Sequence, residues 1–308
     1  MTNIQWTDVT SNPIHLVKPD GSHGGHWCKK VSPGCANCYS EAQNNNGFFS
    51  FASHLEYVGD APDNLIFDEE VCKKWLSWRK PKKIFVCSMT DLFGEWVENE
   101  WIDKVFGYMA SAHWHTFHVL TKRPERAIAY FQRHNLAQSI KDASDLVCKP
   151  ELPLKNVWFG ITCENQAMAD KRIPLLLETP AAVKWLSVEP ILENIDLKFG
   201  SWDVDVDDDT TRSIYVPNEN NLVDWVVLGG ESGKNARSCH IVWVRSLVRQ
   251  CQDASIPVFV KQLGSKPLHI QYIEREPKHK YRYKISGNKG GKIQEFPEDL
   301  QIREFPAN

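Results

Sequence analysis

The sequence predicts an α/β protein built as a partial or complete TIM-like barrel, with about six to seven parallel strands and a C-terminal extension. Two observations predict this class. From residue 84 onward, short apolar runs alternate with segments of helical period, which indicates repeated βαβ units around a parallel sheet. Nearly every apolar run also ends in polar residues, as expected where strands of such a sheet carry a functional site.

Six runs have the composition of strands that are buried on both faces, because their apolar residues are continuous rather than alternating. One more strand is expected near the N-terminus. The runs are IFVCSMTD (84–91), TFHVLTKRP (116–124), VWFGITCEN (157–165), VKWLSVEP (183–190), VDWVVLGGES (223–232) and VFVKQLGS (258–265).

Two segments between these runs have the apolar spacing of amphipathic helices. The first, VENEWIDKVFGYMASA, places four apolar residues on one face: Ile102, Val105, Phe106 and Met109. The second, HIVWVRSLVRQCQDA, does the same with Val244, Leu247, Val248 and Cys251. Both segments therefore predict helices that pack against the sheet.

The polar residues that end the runs favour a barrel over an open doubly wound sheet. Carboxyl ends of parallel strands carry the site in such proteins, and a barrel brings all of them together. The same pattern also occurs where strands simply meet loops. The clusters are Ser88, Thr90 and Asp91; Thr121, Lys122 and Arg123; Thr162, Glu164 and Asn165; Ser187 and Glu189; Gly229, Gly230, Glu231 and Ser232; and Lys261 and Gln262.

We therefore predict a barrel over residues 1–265 and an extension over 266–308 that packs on it. Residues 201–221 are acidic and rich in turn formers, which predicts a solvated insertion. This insertion does not match a calcium loop, because counting from Asp203 the sixth position is Asp208 rather than glycine and the twelfth is Ile214 rather than glutamate. In the extension, GNKGG predicts a turn or hairpin.

Composition indicates a globular, cytoplasmic protein. The 308 residues carry a net charge of −3, so no general basic field marks a nucleic-acid binder. The N-terminus lacks the pattern of a signal peptide, and no window approaches the roughly 18 apolar residues of a membrane span. The nine cysteines are odd in number, and Cys87 and Cys148 lie in apolar runs, which predicts reduced thiols rather than a disulfide framework.

Residues 26–42, HWCKKVSPGCANCYSEA, contain Cys28, Cys35 and Cys38 at the spacing C-x6-C-x2-C. These thiols have three interpretations. One is a zinc site completed by His23 or His26. The second is three unrelated thiols. The third is a four-iron cluster with three cysteine-bound irons and one open iron, at which S-adenosylmethionine binds as the remaining ligand.

Several motifs together resemble the phage and prophage three-Cys-motif protein family, and they cover most of the chain in order. They are VSPGCANCYSEA, FVCSMTDLF, VLTKRPERA, NVWFGITCENQAMADKRIPLLLETPAAVKWLSVEP, DWVVLGGESGKNAR and VRSLVRQCQDASIPVFVKQLGS. That family is placed beside the radical S-adenosylmethionine enzymes and is distantly similar to spore photoproduct lyase, a DNA repair enzyme. The spacing C-x6-C-x2-C departs from the commoner C-x3-C-x2-C, and VKPDGSHGGHW resembles an insertion before Cys28.

The resemblance implies roles for particular residues. Cys28, Cys35 and Cys38 would bind the [4Fe-4S] cluster. Thr162 with Glu164 would hold the ribose of S-adenosylmethionine, and Ser88, Thr90 and Asp91 would receive its amino group. Further cofactor or substrate contacts are expected from the remaining strand-end residues: Ser187, Glu189, Gly229, Gly230, Glu231 and Lys261.

Three functions follow as alternatives: a radical enzyme acting on nucleic acid or a nucleotide base, a radical enzyme acting on a peptide or small metabolite, and a zinc-stabilised binding module. A radical enzyme needs an external reductant. The family resemblance also implies a companion protein that is encoded nearby. Lys122, Arg123 and Arg126 would hold phosphate, although charges at a helix start are also commonly solvated. The basic aromatic strip WLSWRKPKK (75–83) would stack bases on Trp78 and follow phosphates with its cations, although a polar cap between a helix and a strand has the same pattern.

Overall fold

The computed structural model describes residues 4–45, 50–52, 54–144, 148–199, 201–207, 210–215, 223–273, 276–287 and 289–307. Within these ranges the chain is a mixed α/β protein. None of the helices in this described part is long and apolar enough to cross a membrane.

The strands and helices follow one another along the chain. The strands are β1 (Val9–Ser11), β2 (Ile14–Val17), β3 (His23–Gly25), β4 (Leu65–Phe67), β5 (Lys83–Val86), β6 (Thr116–Thr121), β7 (Val157–Thr162), β8 (Val183–Val188), β9 (Ser201–Asp207), β10 (Thr210–Tyr215), β11 (Trp225–Gly229), β12 (Cys239–His240), β13 (Val258–Gln262), β14 (Pro267–Ile273) and β15 (Glu276–Arg282). The helices are α1 (Tyr39–Asn45), α2 (Glu69–Ser77), α3 (Asn99–Ser111), α4 (Pro124–Phe131), α5 (Leu136–Ala143), α6 (Gln166–Glu178) and α7 (Ile241–Asp253).

The main sheet has seven strands in the order β1-β5-β6-β7-β8-β11-β13. The paired strands run parallel, for example β5 with β6 and β11 with β13. The predicted fold class is confirmed: the protein is α/β with a seven-stranded parallel sheet and the topology of a partial TIM-like barrel. The six apolar runs and the additional N-terminal strand supply its seven strands.

The chain divides into two compact units, of which the first comprises Met1–Ile161 and Glu178–Val183. It contains β1, β5, β6 and nearly all of β7, together with α1 to α5 and a small antiparallel sheet of order β3-β2-β4. The predicted apolar face of α3 is confirmed, since all four of its residues are buried. Helix α2 begins where the Asp68 carboxylate accepts from the backbone N–H of Glu70.

The second unit comprises Thr162–Leu177 and Lys184–Asn308. It contains β8, β11 and β13, flanked by α6 and α7, and the predicted face of α7 is buried. Part of the acidic insertion forms an antiparallel hairpin, β9 with β10, while residues 208–209 and 216–221 lie outside the described ranges. The C-terminal extension belongs to this unit, where β14 and β15 pair and residues 302–304 lie antiparallel to β13.

The hydrogen bonds of the chain terminus explain how the extension packs. The N–H of Val260 donates to the carbonyl of Ile302 at 2.9 Å, and the N–H of Glu304 donates to Val258 at 3.0 Å. These bonds use backbone groups of β13 that a bare edge strand would expose. The predicted turn at GNKGG includes Gly287 and Gly290 with positive φ, whereas Asn288 lies outside the described ranges.

His118 on β6 gives the first unit a pH-dependent core. Its ring is fully buried and meets Trp6 and Trp158 edge to face, with centroids 5.1 Å apart in both pairs. Burial, with a smaller effect of the Lys83 charge, lowers the pKa of His118 to about 3. An unfolded chain binds this proton near pH 6.5. The unfolded state therefore holds more protons than the folded state between these values, and stability falls as the pH decreases below about 6.5.

We expect replacement of His118 by Phe to reduce this acid sensitivity. The free energy of unfolding of the wild-type protein should lose about 1.4 kcal/mol per pH unit from this one group between pH 6 and pH 4. The slope in His118→Phe should be smaller by that amount. Urea unfolding followed by tryptophan fluorescence at several pH values measures both slopes, and equal slopes would contradict the assignment.

Candidate functional site

The three cysteines of the 26–42 loop lie in the first unit. The loop contains a 3-10 turn at Pro33–Cys35 and continues into α1. All three thiols are free and half-buried. Burial raises the pKa of Cys28 and of Cys38, and the nearby Asp91 charge raises that of Cys28 further. A metal or cluster that binds here must therefore displace protons.

Two side chains at strand ends hold the backbone on either side of Cys28. The Thr90 hydroxyl, after β5, donates to the carbonyl of Trp27 at 2.7 Å. The Arg123 guanidinium, after β6, donates to the carbonyl of Lys29 at 2.9 Å. Cys28 is thus positioned from the carboxyl ends of two neighbouring parallel strands, which is where the sequence predicted a site.

The two residues after Cys38 bond to the turn that follows β5. The Ser40 hydroxyl lies 2.6 Å from the carbonyl of Met89, and the Tyr39 hydroxyl donates to the carbonyl of Ser88. The Ser88–Met89 turn is itself fixed by Asn12, just after β1, whose Oδ1 accepts from the backbone N–H of Met89 at 2.9 Å. Three strand ends therefore support the cysteine loop.

A network of charges centres on the buried guanidinium of Arg123. Its Nε lies 3.0 and 2.9 Å from the two carboxylate oxygens of Glu95, and one terminal nitrogen lies 3.2 Å from Oδ2 of Asp91. Asp91 also accepts from the Thr121 hydroxyl at 2.7 Å. The guanidinium lies over the ring of Trp96, 4.7 Å from its centroid. The guanidinium of Arg123 is thus held between two carboxylates, of which Asp91 is buried and Glu95 is exposed.

This geometry bears on the predicted ligand contacts of the first unit. Thr90, Asp91 and Arg123 hydrogen-bond to other parts of the chain, and Arg126 donates to the carbonyls of Gly94 and Val97. Thr90, Asp91, Arg123 and Arg126 thus hold the surrounding loops in position. The backbone N–H of Lys122 donates to Asp91 at 3.0 Å, and its half-buried side chain carries a charge that favours the thiolate form of Cys38.

In the second unit, Glu164 lies in a buried ion pair. Its side chain has no exposed surface, and its Oε2 accepts from Arg172 of α6 at 3.0 Å. The same nitrogen of Arg172 donates to the carbonyl of Thr162 at 2.7 Å. Thr162 and Ser187 are also buried. The predicted ribose contacts thus lie beneath the surface here, where the ion pair joins α6 to the end of β7.

The second unit has a more accessible charged pair, formed by Glu189 after β8 and Lys261 on β13. The Lys261 ammonium lies 2.7 and 2.8 Å from the two carboxylate oxygens. The side chains are 19% and 14% exposed, so a ligand can reach them. Gly229 at the end of β11 makes room, because a Cβ there would lie 2.8 Å from the Glu189 carboxyl carbon.

The GGES motif, residues 229–232 at the end of β11, also contains Gly230 and Glu231, whose surroundings in this unit are closely packed. The Glu231 carboxylate is buried and accepts from the backbone N–H and the Nε of Arg237 at 2.7 and 2.9 Å. Gly230 has no room for a Cβ, which would lie 2.3 Å from the carbonyl oxygen of Leu263. The motif therefore brings two strand ends into close backbone contact.

The basic aromatic strip lies at the other end of the first unit's strands. Trp78 and Lys82 precede β5, and the Trp114 indole, just before β6, donates to the carbonyl of Trp78 at 2.8 Å. The cysteine loop is held by residues that follow the same two strands. The strip thus does not line the cysteine loop: the predicted base-stacking residues and the predicted cluster ligands lie at opposite ends of these strands.

The donors of the loop are three thiols, and the sequence predicted either zinc or an iron-sulfur cluster for them. Within the described residues, no group of three or more His, Cys, Asp and Glu side chains is arranged around a single ion. The cysteines of an iron-sulfur cluster bind different irons, so they do not converge on one point. Three thiols in eleven positions, on a loop supported by three strand ends, fit a cluster with one open iron.

Fold and site together define a class: an α/β partial barrel with a three-cysteine loop at the carboxyl ends of its parallel strands. Residues 1–293 match the model of a family described as a protein of unknown function, DUF5131, and the chain belongs to that family. No curated protein matches the chain, and no solved structure matches it.

We expect Arg123 to be required for the order of the cysteine loop. Arg123→Met leaves Asp91 and Glu95 without their cation and removes the bond to the Lys29 carbonyl. Breaking a buried pair such as Arg123 with Asp91 costs about 3 to 5 kcal/mol, and the exposure of Glu95, whose side chain is 64% exposed, favours the lower value. Urea unfolding measures this loss, and hydrogen exchange should show weaker protection at residues 27–30.

A matched variant, Arg245→Met, separates this effect from loss of any arginine. Arg245 pairs with Asp299 at 2.6 Å on an exposed face of the second unit. Its replacement should cost about 1 kcal/mol or less and leave exchange at residues 27–30 unchanged. Equal losses in the two variants would contradict a special role for Arg123.

Proposed function

We propose that this protein is a radical S-adenosylmethionine enzyme that carries a [4Fe-4S] cluster on Cys28, Cys35 and Cys38 and acts on nucleic acid or a nucleotide base. One observation carries the proposal. The three-cysteine loop is hydrogen-bonded to the carboxyl ends of β5 and β6 in a partial barrel, on both sides of Cys28. Structural zinc loops need no such attachment to a parallel sheet.

The chemistry of the loop supports a cluster that takes a further ligand. Three thiolates satisfy three irons and leave one for an exogenous ligand. When bound and reduced by an external donor, the cluster with S-adenosylmethionine supplies a carbon radical that abstracts hydrogen from a substrate.

The chain's own residues do the positioning. Thr90 and Arg123 hold the carbonyls of Trp27 and Lys29, so the Cys28 backbone is ordered before any ligand binds. Such preorganisation lowers the entropic cost of forming a site. The Lys122 charge stabilises the thiolate of Cys38, which is the form that binds iron.

Two groups of the second unit are suited to hold a polar ligand. Glu189 and Lys261 offer a carboxylate and an ammonium that are paired and partly exposed, so a zwitterionic ligand can exchange partners with both. The buried pair of Glu164 with Arg172 holds the end of β7 in place. On the family resemblance we assign Glu189 to contact with the cofactor, and the buried ion pair of Glu164 to support of the strand end.

The choice of nucleic acid as substrate rests on the family resemblance and on local cations, since the chain as a whole is slightly acidic. A radical abstracts hydrogen only from an atom in near contact. The target base would therefore be single-stranded or flipped out of a duplex. A peptide or small metabolite is the alternative substrate, and a zinc-stabilised module is the alternative without catalysis.

We expect anaerobically reconstituted protein to hold about four irons and about four sulfides per chain. Replacement of Cys28, Cys35 or Cys38 by Ala should abolish the cluster. Cys72→Ala and Cys251→Ala are the controls, because both thiols are buried elsewhere and should leave iron content unchanged. Iron, sulfide and zinc analyses provide the measurement, and one zinc without sulfide would contradict the proposal.

We expect the reduced, cluster-loaded protein to cleave S-adenosylmethionine slowly to 5'-deoxyadenosine and methionine. Glu189→Gln should weaken cofactor binding about tenfold or more, because a hydrogen bond to a charged group is worth roughly 1.5 to 3 kcal/mol. Equilibrium dialysis measures affinity, and chromatography measures the two products.

Glu298→Gln is the control, because Glu298 is an exposed carboxylate near the C-terminus. It should bind the cofactor as the wild-type protein does. If loaded, reduced protein neither binds nor cleaves S-adenosylmethionine, the radical proposal fails. If Glu189→Gln binds normally, only the assignment of that pair fails.

A further inference from the structure

Residues 73–83, KKWLSWRKPKK, form a compact positive surface in a protein that is otherwise slightly acidic. The segment contains six cations and no carboxylate. It includes the end of α2, the turn that follows and the first residue of β5. We call the part formed by Lys74, Arg79, Lys80, Lys82, Trp78 and the adjacent Trp114 the amino-end surface.

Most of these charges are not neutralised. Lys73 pairs with Glu70 at 2.7 Å. In contrast, Lys74, Arg79, Lys80 and Lys82 form no ion pair with a carboxylate in the part of the chain that the structure describes. Lys74, Arg79 and Lys80 are exposed. A cluster of solvated, unpaired cations produces a local positive potential that attracts a polyanion.

Two indole rings lie among these cations. Trp78 and Trp114 are half-exposed, and the Trp114 Nε1 donates to the Trp78 carbonyl at 2.8 Å, which holds the two segments together. The Lys82 ammonium lies 5.6 Å from the centroid of the Trp78 ring. Cations beside accessible aromatic rings are the combination that binds single strands, where phosphates meet the charges and bases stack on the rings.

The surface is separated from the cysteine loop by the length of the strands. Its residues precede β5 and β6, whereas Thr90 and Arg123, which hold the loop, follow those strands. At about 3.3 Å per residue, β6 alone spans roughly 17 Å. A nucleotide bound on the amino-end surface therefore does not contact the cysteine loop.

We propose that the amino-end surface binds single-stranded nucleic acid and is an anchoring site distinct from the cysteine loop. This inference rests on the proposed function, in which a nucleic acid is the substrate. It adds that the nucleic acid is anchored at the amino ends of β5 and β6, whereas the reaction takes place at their carboxyl ends. The exposed indoles favour a nucleic acid over an acidic protein or an anionic membrane, since neither of these supplies bases to stack.

The test is fluorescence anisotropy with labelled single-stranded and duplex oligonucleotides at several salt concentrations. The wild-type protein should prefer the single strand. The double charge reversal R79E/K80E should weaken binding about tenfold or more at low salt. It should also reduce the log-log salt slope by about 1.4, since each phosphate contact on a single strand contributes about 0.7.

The matched control is K234E/K289E, which reverses two exposed cations of the second unit. It should bind the oligonucleotide nearly as well as the wild-type protein. Thermal unfolding should show that both variants remain folded, and the iron content of both should equal that of the wild-type protein.

The outcomes separate the two proposals. A wild-type protein without a cluster that still binds through the amino-end surface would refute the radical function and leave this inference standing. Three outcomes would overturn the inference about the amino-end surface. They are equal weakening of binding in both double variants, no binding of the oligonucleotide by the wild-type protein, and binding only to anionic vesicles or an acidic protein. Trp78→Phe, which retains a ring, should bind more tightly than Trp78→Ala, and equal affinities would refute base stacking.

Discussion

The cysteine loop depends on one buried guanidinium. Arg123 places a positive charge between Asp91 and Glu95 and donates to the backbone of the residue after Cys28. A guanidinium suits this task because its donors form a rigid planar array that can meet three partners at once. Lysine would supply the charge without that geometry. The loop has short regular elements of its own, so its shape comes largely from bonds to the strand ends.

The strand ends of both units serve two different purposes. Some polar residues fix the backbone, as Asp91 does in the first unit and Glu164 does in the second, and these are buried with a partner. Others, such as Glu189 with Lys261, are paired but partly exposed, so a ligand can exchange with the partner. Burial distinguishes the two roles because a fully buried ion pair is costly to open.

The strands of the main sheet could be predicted from the sequence because they are buried on both faces. Burial on both faces requires continuous apolar runs, which are easy to recognise in a sequence. The helical faces of α3 and α7 were predicted for a similar reason. The direction of individual polar side chains was not predictable. Asp91 and Arg123 were predicted to contact ligands, and the structure adds that they bind one another and that Arg123 donates to the carbonyl of Lys29. The partners of Arg123 are Asp91, Glu95 and Lys29, which lie 32, 28 and 94 residues away in the sequence, and no periodic pattern relates them.

Arg172 and Arg237 were missed for the same physical reason. Each pairs with a strand-end glutamate from a helix or loop, and a single arginine carries no spacing signal. The position of the basic aromatic strip was available from the sequence, because residues that precede a strand lie at its amino end. Aromatic and basic composition favoured a substrate site, whereas chain order places the strip away from the strand ends that hold the cysteines.

The central claim is that the three cysteines leave one iron open to S-adenosylmethionine. Mössbauer spectroscopy of protein reconstituted with ⁵⁷Fe, before and after addition of the cofactor, tests it most directly. The account predicts that one iron site differs from the cysteine-bound irons and that its isomer shift alone rises when the cofactor binds. Irons that all remain equivalent and unchanged with the cofactor present, or a spectrum without a cluster, would contradict it.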